Sequence, residues 1–169
     1  MALRAPAPPC SDTARAAPTP NAAPAVDQVD TSYLETLIGY NARRAALAVI
    51  GLFLQRMAVY GLKPVDFSVL SLITHNPGIT SRQLCTALNI LPPNLVGMIN
   101  ALARRGLIER LPHPRDRRAM GLHLTDAGRQ VMAEAENTAS GLEAEATGRL
   151  SPAERQTLIL LLRKVYLPD

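Results

Sequence analysis

The sequence is poor in the residues and motifs on which catalysis and covalent cross-linking usually depend. It contains no tryptophan, 4% aromatic residues and two cysteines among 169 residues. Cys10 and Cys85 lie far apart without a C-x-x-C motif, which predicts neither a disulfide framework nor a zinc site. The three histidines are scattered, and the motifs of serine hydrolases, zinc proteases and nucleotide-binding loops are missing. The sequence therefore predicts a protein that is not an enzyme, with no catalytic residues, metal ligands or cofactor.

Long apolar segments are missing as well. The most apolar stretch, residues 45–54, is ten residues long, whereas a membrane-spanning helix needs about 20. The N-terminus lacks the continuous apolar segment of a secretory signal. Together with the low cysteine content, these absences predict a cytoplasmic protein without a membrane partner.

Composition divides the chain into a tail and a domain. Residues 1–30 contain six of the fourteen prolines and few large apolar side chains. Such a segment cannot bury enough surface to offset the entropy of ordering, so we predict a disordered Ala/Pro-rich tail. The remaining residues have room for one compact domain, and the net charge of +4 favours polyanionic partners.

Helices dominate the rest of the chain. In a capping box, a hydroxyl side chain and a carboxylate or amide three residues later satisfy each other's backbone amides. Three segments have this pattern and are predicted to start helices: residues 32–35, 80–83 and 151–154. The first of these helices is predicted to continue to about Tyr60, and residues 125–148 form a further long helical pattern.

The first predicted helix is apolar on all sides over residues 45–54. A helix of this kind must be buried on more than one side, because a broad apolar surface rarely stays exposed. This favours burial against a second subunit in a homodimer. A central helix within one monomer is the alternative.

The middle of the chain has the order of a winged helix-turn-helix. Two short helices, one starting at Thr80 and one over residues 94–105, are followed by strands at 107–110 and 120–124. The segment between the strands is too long and too rich in proline for a tight hairpin turn, so we predict a loop. The predicted fold is mainly α with a small β-wing, flanked by N- and C-terminal dimerisation helices. The corresponding division is a DNA-binding lobe at residues 61–124 and a dimerisation region at 31–60 and 125–169.

The predicted wing is rich in arginine. Residues 104–118 contain six arginines and two acidic residues. Guanidinium groups are planar and permanently charged, so this cluster suits phosphates or a narrow minor groove, although a solvated charged loop is the alternative. We predict that Arg117 or Arg118 enters the minor groove; for either one, contact with phosphate alone is the alternative. Three further residues, Ser81, Arg82 and Arg104, are predicted to contact DNA phosphates. Arg115 is a further predicted DNA contact.

Four segments resemble the MarR family of bacterial transcription regulators. They read GLKPVDFSVLSLI, TSRQLCTALNI, LVGMINALARRGLIER and PRDRRAMGLHLTDAG, and the resemblance covers roughly residues 31–166. It implies a homodimer with intertwined terminal helices and two winged lobes about one DNA turn apart. Its double-stranded DNA site would then be pseudo-palindromic. The resemblance also implies a repressor that a small molecule or oxidant releases from DNA.

The second helix of the helix-turn-helix, the recognition helix, departs from the family pattern. In the family this helix usually carries several Ser, Thr and Arg residues that face the bases, whereas in this chain the corresponding residues are Pro93, Asn94, Val96 and Gly97. Asn94 and Asn100 are therefore the predicted polar base contacts, and Asn94 can read adenine in a bidentate way. Thymine methyl groups and DNA shape are predicted to contribute the remaining specificity.

The wing departs at one position. His113 stands where the family usually has an acidic residue, so an ion pair closing the wing there is not predicted, and Asp116 is predicted to orient Arg118 or a neighbouring arginine. The weakly polar recognition helix leaves open a second function, that of a winged-helix protein-interaction module without specific DNA binding. The arginine-rich wing argues against it.

Candidate effector-binding residues lie where the dimerisation helices should meet the winged lobe. They are Tyr40, Arg43, Arg44 and His75. An arginine beside a tyrosine or histidine would suit an aromatic carboxylate effector. The alternative is two solvated arginines, a core tyrosine and a histidine near an exposed turn. Cys85 is predicted to be a small core or boundary residue, with oxidant sensing as the alternative.

Overall fold

The computed structural model describes residues 28–113 and 116–167, with the backbone alone at 113 and 116–119. In chain order its elements are α1 (Ser32–Glu35), α2 (Ile38–Met57), α3 (Pro64–His75), β1 (Ile79–Thr80), α4 (Ser81–Leu88), α5 (Pro92–Arg104), β2 (Ile108–His113), β3 (Asp116–Leu124), α6 (Asp126–Ala146) and α7 (Pro152–Tyr166). The predicted tail, including Cys10, lies outside the described residues except for its last three positions.

The start of the first helix differs from the prediction. The predicted single helix from Ser32 is broken at residues 36–37, and the predicted capping box does not form. Thr31, one position earlier, donates its hydroxyl to the Glu35 carboxylate at 2.6 Å. The Asn41 amide then donates to the backbone carbonyls of Glu35 and Leu37 at 2.7 and 2.8 Å, which stabilises the break. The predicted end of this helix at about Tyr60 is confirmed, since the 3-10 turn Ala58–Tyr60 is followed by Gly61, which has a left-handed φ of 59°.

The predicted helix-turn-helix is confirmed in α4 and α5. Thr80 caps α4 through the expected reciprocal bonds with Gln83, at 2.9 Å and 3.3 Å. Pro92 occupies the first turn of α5, where its missing N–H removes no helical hydrogen bond. Gly106 follows the helix with a φ of 70°, as its position after Arg104 and Arg105 predicts.

The two strands of the wing are longer than predicted. The strands form an antiparallel sheet in the order β1–β3–β2, and β2 and β3 remain paired as far as His113 opposite Asp116. The prediction of a loop was therefore wrong for residues 111–113 and 116–119, which belong to the two strands. Pro112 is tolerated because β2 is an edge strand, and the register shifts between Pro112 and His113 as in a β-bulge.

A single apolar cluster joins α2, α3, α4, α5 and α6 to the sheet. Its fully buried large side chains are Met57, Val69, Leu70, Ile73, Leu84, Leu95, Ile99, Leu102, Leu122 and Met132. Two polar contacts fasten α6 to α2 and to the 3-10 turn that follows α2. The Tyr60 and Thr138 hydroxyl oxygens lie 3.0 Å apart, and Arg56 donates to Glu145 at 2.7 Å.

Helix α7 begins as predicted but stays outside the core. Ser151 and Glu154 form the expected capping box, and the hydrogen bonds from Ser151 lower the pKa of the Glu154 carboxyl. Among the described residues, none of α7 is buried. The predicted fold class, mainly helical with a small wing, is confirmed. The assignment of the terminal helices to dimerisation stays a prediction.

Candidate nucleic-acid interface

The recognition helix α5 has a buried side and an exposed side. Leu95, Ile99 and Leu102 point into the core and are at most 1% exposed. The predicted base-facing residues lie on the other side: Pro93, Asn94, Val96 and Gly97 are exposed, and Asn100 is half-buried. A Cβ built on Gly97 would meet nothing within 4 Å, so this face is open.

The predicted phosphate contacts lie at the start of α4 and at the end of α5. Ser81 is half-buried in the first turn of α4, beside the exposed Arg82. Arg104 is exposed at the end of α5. Helix starts and exposed cations of this kind are typical phosphate contacts. Cys85, on α4, is half-buried and packs against the core, as expected for a boundary residue.

Strand β2 of the wing packs beside α5. Residues 116–118 are part of β3. The side chains of Asp116, Arg117 and Arg118 lie outside the described part of the chain, as does the whole of Arg115, so their predicted contacts stay predictions.

Two arginines of the basic cluster have partners that the sequence did not predict. Arg110, on β2, donates from Nη2 to Oδ1 of Asn100 at 2.6 Å, which links the wing to the recognition helix. Arg105 donates to the backbone carbonyls of Tyr60 and Gly61 at 2.7 and 2.9 Å. Arg105 therefore fastens the end of α5 to the turn between α2 and α3.

The four candidate effector residues occupy two different places. Half-buried Tyr40 and exposed Arg43 and Arg44 lie near the start of α2. His75 ends α3, where its Nε2 lies 3.1 Å from Oε1 of Glu136 on α6. Among the described contacts, no hydrogen bond or ion pair joins His75 to the other three.

A cavity of about 260 Å³ lies between α2, α3 and α6. Its lining residues are Val49, Ile50, Phe53, Pro64, Phe67, Ser68, Ala139, Leu142 and Glu143. The rings of Phe53 and Phe67 meet edge to face, with centroids 5.6 Å apart. This cavity could not be predicted from the sequence, because each apolar lining residue fits the periodicity of an ordinary core position. None of the four candidate effector residues lines it.

The chain is similar to known bacterial transcription regulators. A sequence model of the MarR family matches residues 60–119. The putative transcriptional regulatory protein for the hcr operon of Thauera aromatica is 34% identical over 133 residues, which cover 78% of this chain and 80% of that protein. This chain belongs to the MarR family.

Two solved structures of the transcriptional repressor CouR are similar to this MarR-family protein. CouR bound to a 23-mer DNA duplex is 37% identical, with a TM-score of 0.78 over 83% of this chain and 100% of CouR. CouR bound to p-coumaroyl-CoA is 35% identical, with a TM-score of 0.76 over 84% and 100%. The family resemblance is confirmed, and this MarR-family chain is a DNA-binding transcription regulator. Its relatives are regulators in a family that is generally non-enzymatic.

The described part of this MarR-family chain lacks two features of other protein classes. Within residues 28–113 and 116–167, no individual helix combines the length and apolarity that crossing a membrane requires. Over the same residues, no three His, Cys, Asp or Glu side chains are grouped so that they could hold a metal ion.

Proposed function

We propose that the protein is a homodimeric, sequence-specific repressor that binds a pseudo-palindromic DNA site and releases it when a small effector binds. The observation that carries this proposal is the open face of α5 standing beside the basic wing, with Arg110 and Asn100 bonded across the gap at 2.6 Å. A helix with this exposure fits the major groove, and the adjoining hairpin can reach the phosphates or the minor groove.

The homodimer is supported by apolar side chains that one chain leaves exposed. On α7 they are Leu158, Ile159, Leu160, Leu161, Leu162, Val165 and Tyr166, between 39% and 72% exposed. A second group of exposed apolar side chains precedes α2 or lies in its first turn: Val29, Tyr33, Leu34, Leu37 and Ile38. Surfaces this apolar mark subunit interfaces. A symmetric dimer through residues 31–60 and 125–169 would present two copies of the lobe at 61–124 to half-sites about 34–36 Å apart.

Substitution of one leucine of α7 by a charged residue tests the dimer. Leu161→Glu is expected to weaken dimerisation by about 3–5 kcal/mol, because a symmetric interface loses two buried leucines and gains two charges. Sedimentation at micromolar protein should show monomers, and operator affinity should fall with dimerisation. Gln156→Glu, on the side of α7 that carries Arg163, adds the same charge and is the matched control. Unchanged dimerisation of Leu161→Glu would contradict the α7 interface.

The cavity supports an effector with an aromatic ring. It lies between α2 and α6 of the proposed dimerisation region and α3 of the DNA-binding lobe, where an occupant would touch both. An apolar cavity of about 150 Å³ is enough to bind benzene, so about 260 Å³ accommodates a substituted ring.

The charge of the cavity orients such an effector. Glu143 is the ionisable residue of the lining, and its negative charge opposes a carboxylate inside the cavity. We infer that an aromatic acid, or its CoA thioester as bound by CouR, places its ring inside and its acid or thioester end outside.

Filling the cavity separates effector response from DNA binding. Ala139→Leu is expected to leave operator affinity within about threefold of wild type while raising the effector concentration for half-release at least about tenfold, since the added side chain occupies the ring's space. A panel of aromatic acids and their CoA thioesters supplies the probes, and fluorescence anisotropy of labelled operator measures release. Ala133→Leu, at an exposed position of α6, is the control. An Ala139→Leu variant that responds like wild type would place the effector elsewhere.

One experiment tests the function as a whole. The purified protein is incubated with fragmented DNA from its own genome at near-physiological salt, and the retained fragments are sequenced. A pseudo-palindrome with half-sites one turn apart supports the proposal, and a reporter carrying that site should be repressed in cells. Retention without a shared sequence would mean non-specific phosphate binding. Absence of retention would favour the protein-interaction module.

A further inference from the structure

The recognition helix α5 has one stripe of residues that faces away from the core. The members follow one another at intervals of four, three and four positions: Pro93, Gly97, Asn100 and Arg104. In a helix that lies in the major groove, this stripe faces the base edges. Among these four residues, Asn100 has a neutral side-chain amide, which can both donate and accept hydrogen bonds.

The partner of Asn100 fixes which way its amide points. The bond from Nη2 of Arg110 ends on the amide oxygen of Asn100, at 2.6 Å. A guanidinium has donors only, so the oxygen must face Arg110 and the NH₂ group must face away. The bond is charge-assisted, which makes it stronger than one between two neutral groups.

We propose that Arg110 sets the base preference of Asn100 by turning the pair into a donor-only surface. To read adenine in a bidentate way, an asparagine must accept from N6 and donate to N7 at the same time. With its oxygen bonded to Arg110, Asn100 offers the NH₂ group alone. The pair therefore selects an edge that carries only acceptors, above all guanine with its adjacent N7 and O6. This inference rests on the proposed function, in which α5 lies in the major groove.

The remaining lone pair of the Asn100 oxygen does not restore adenine reading. It lies next to the positive guanidinium of Arg110, and a base amino group approaching it would bring the partial positive charge of its hydrogens toward that cation. The same repulsion applies to the N4 amino group of cytosine. Arg110 thus rejects donor edges as well as directing the amide to acceptor edges.

Binding-site selection from a randomised duplex pool tests this assignment. The full-length wild type, Arg110→Met and Asn100→Ala are compared, with methionine keeping an unbranched side chain but no donors. Asn100→Ala identifies the base pair that Asn100 faces, since preference at that pair should disappear. At the same pair, the wild type should prefer guanine, and Arg110→Met should shift the adenine-to-guanine ratio toward adenine by roughly 5- to 150-fold, the range of one bidentate contact.

Two further variants complete the test. Arg110→Lys keeps a donor-only partner for Asn100 and should retain the guanine preference. Arg82→Ala, at a proposed phosphate contact, should weaken binding to all sequences equally. An adenine preference in the wild type at the Asn100 pair, or unchanged preferences in Arg110→Met, would overturn the inference while leaving the proposed function intact. A wild type that enriches no sequence would overturn both.

Discussion

Replacement of Arg117 and Arg118 together by alanine is expected to weaken operator binding by about a hundredfold or more while leaving the dimer folded. The backbone of both residues lies in β3 near the tip of the wing. An arginine in a narrow minor groove gains from the enhanced negative potential there, and one that contacts phosphate releases counterions. The plot of log affinity against log salt should therefore become shallower by about 0.9 for each phosphate contact that is lost.

The measurement is a salt titration of operator affinity with wild type and variant. Arg149→Ala combined with Arg163→Ala removes the same charge from exposed positions outside the winged lobe, so it controls for net charge. Circular dichroism and sedimentation report whether fold and assembly are preserved. Full affinity and an unchanged salt slope in the Arg117/Arg118 variant would contradict the assignment of the wing to DNA.

Gly128→Ala is expected to destabilise the fold by about 3 kcal/mol or more. A Cβ at this position would overlap the backbone carbonyl oxygen of Leu107, a clash that no side-chain rotation can relieve. The same carbonyl accepts the Thr125 amide at 3.1 Å, and the Thr125 hydroxyl accepts the Gly128 amide at 3.0 Å. Moving α6 away from Leu107 would strain the Thr125–Leu107 bond, which joins the start of α6 to the segment between α5 and the sheet.

Thermal unfolding measures this effect. For a chain of this size the midpoint should fall by roughly 6–12 °C. Gly97→Ala is the matched control, because its added Cβ meets nothing within 4 Å and alanine favours a helix over glycine by about 0.8–1.0 kcal/mol. A Gly128→Ala protein as stable as wild type would show that the junction between α5 and α6 can separate without cost.

Local chemistry explains which elements the sequence predicted. The helix starts at Thr80 and Ser151 depend on groups three residues apart, and the stop at Gly61 depends on one residue's backbone freedom. The break after Glu35 was missed because the Asn41 side chain bonds back to an earlier turn. The extent of the wing was missed because tolerance of Pro112 depends on β2 lying at the sheet edge.

The sequence predicted the exposed face of α5 but not the contacts within the candidate site. The contacts of the arginine side chains at 115, 117 and 118 stay predictions. The partners of the arginines come from elsewhere in the chain: Arg105 bonds to Tyr60 and Gly61, about 45 positions earlier. The spacing of residues in the sequence does not distinguish an arginine that bonds within the protein from one that is available to contact DNA. The cavity was missed for a related reason, since an unfilled volume arises from how three helices meet and leaves no pattern in any one of them.

A compound bound in the cavity between α2, α3 and α6 would also stabilise the folded protein by mass action. A compound that occupies it binds the folded chain and not the unfolded one, and so adds about 2.7 kcal/mol to the free energy of unfolding at a hundred times its dissociation constant. Heating the protein with a library of aromatic compounds therefore ranks their affinities directly. Neither the operator nor a regulated gene needs to be known, and Ala139→Leu separates occupants of the cavity from compounds bound elsewhere.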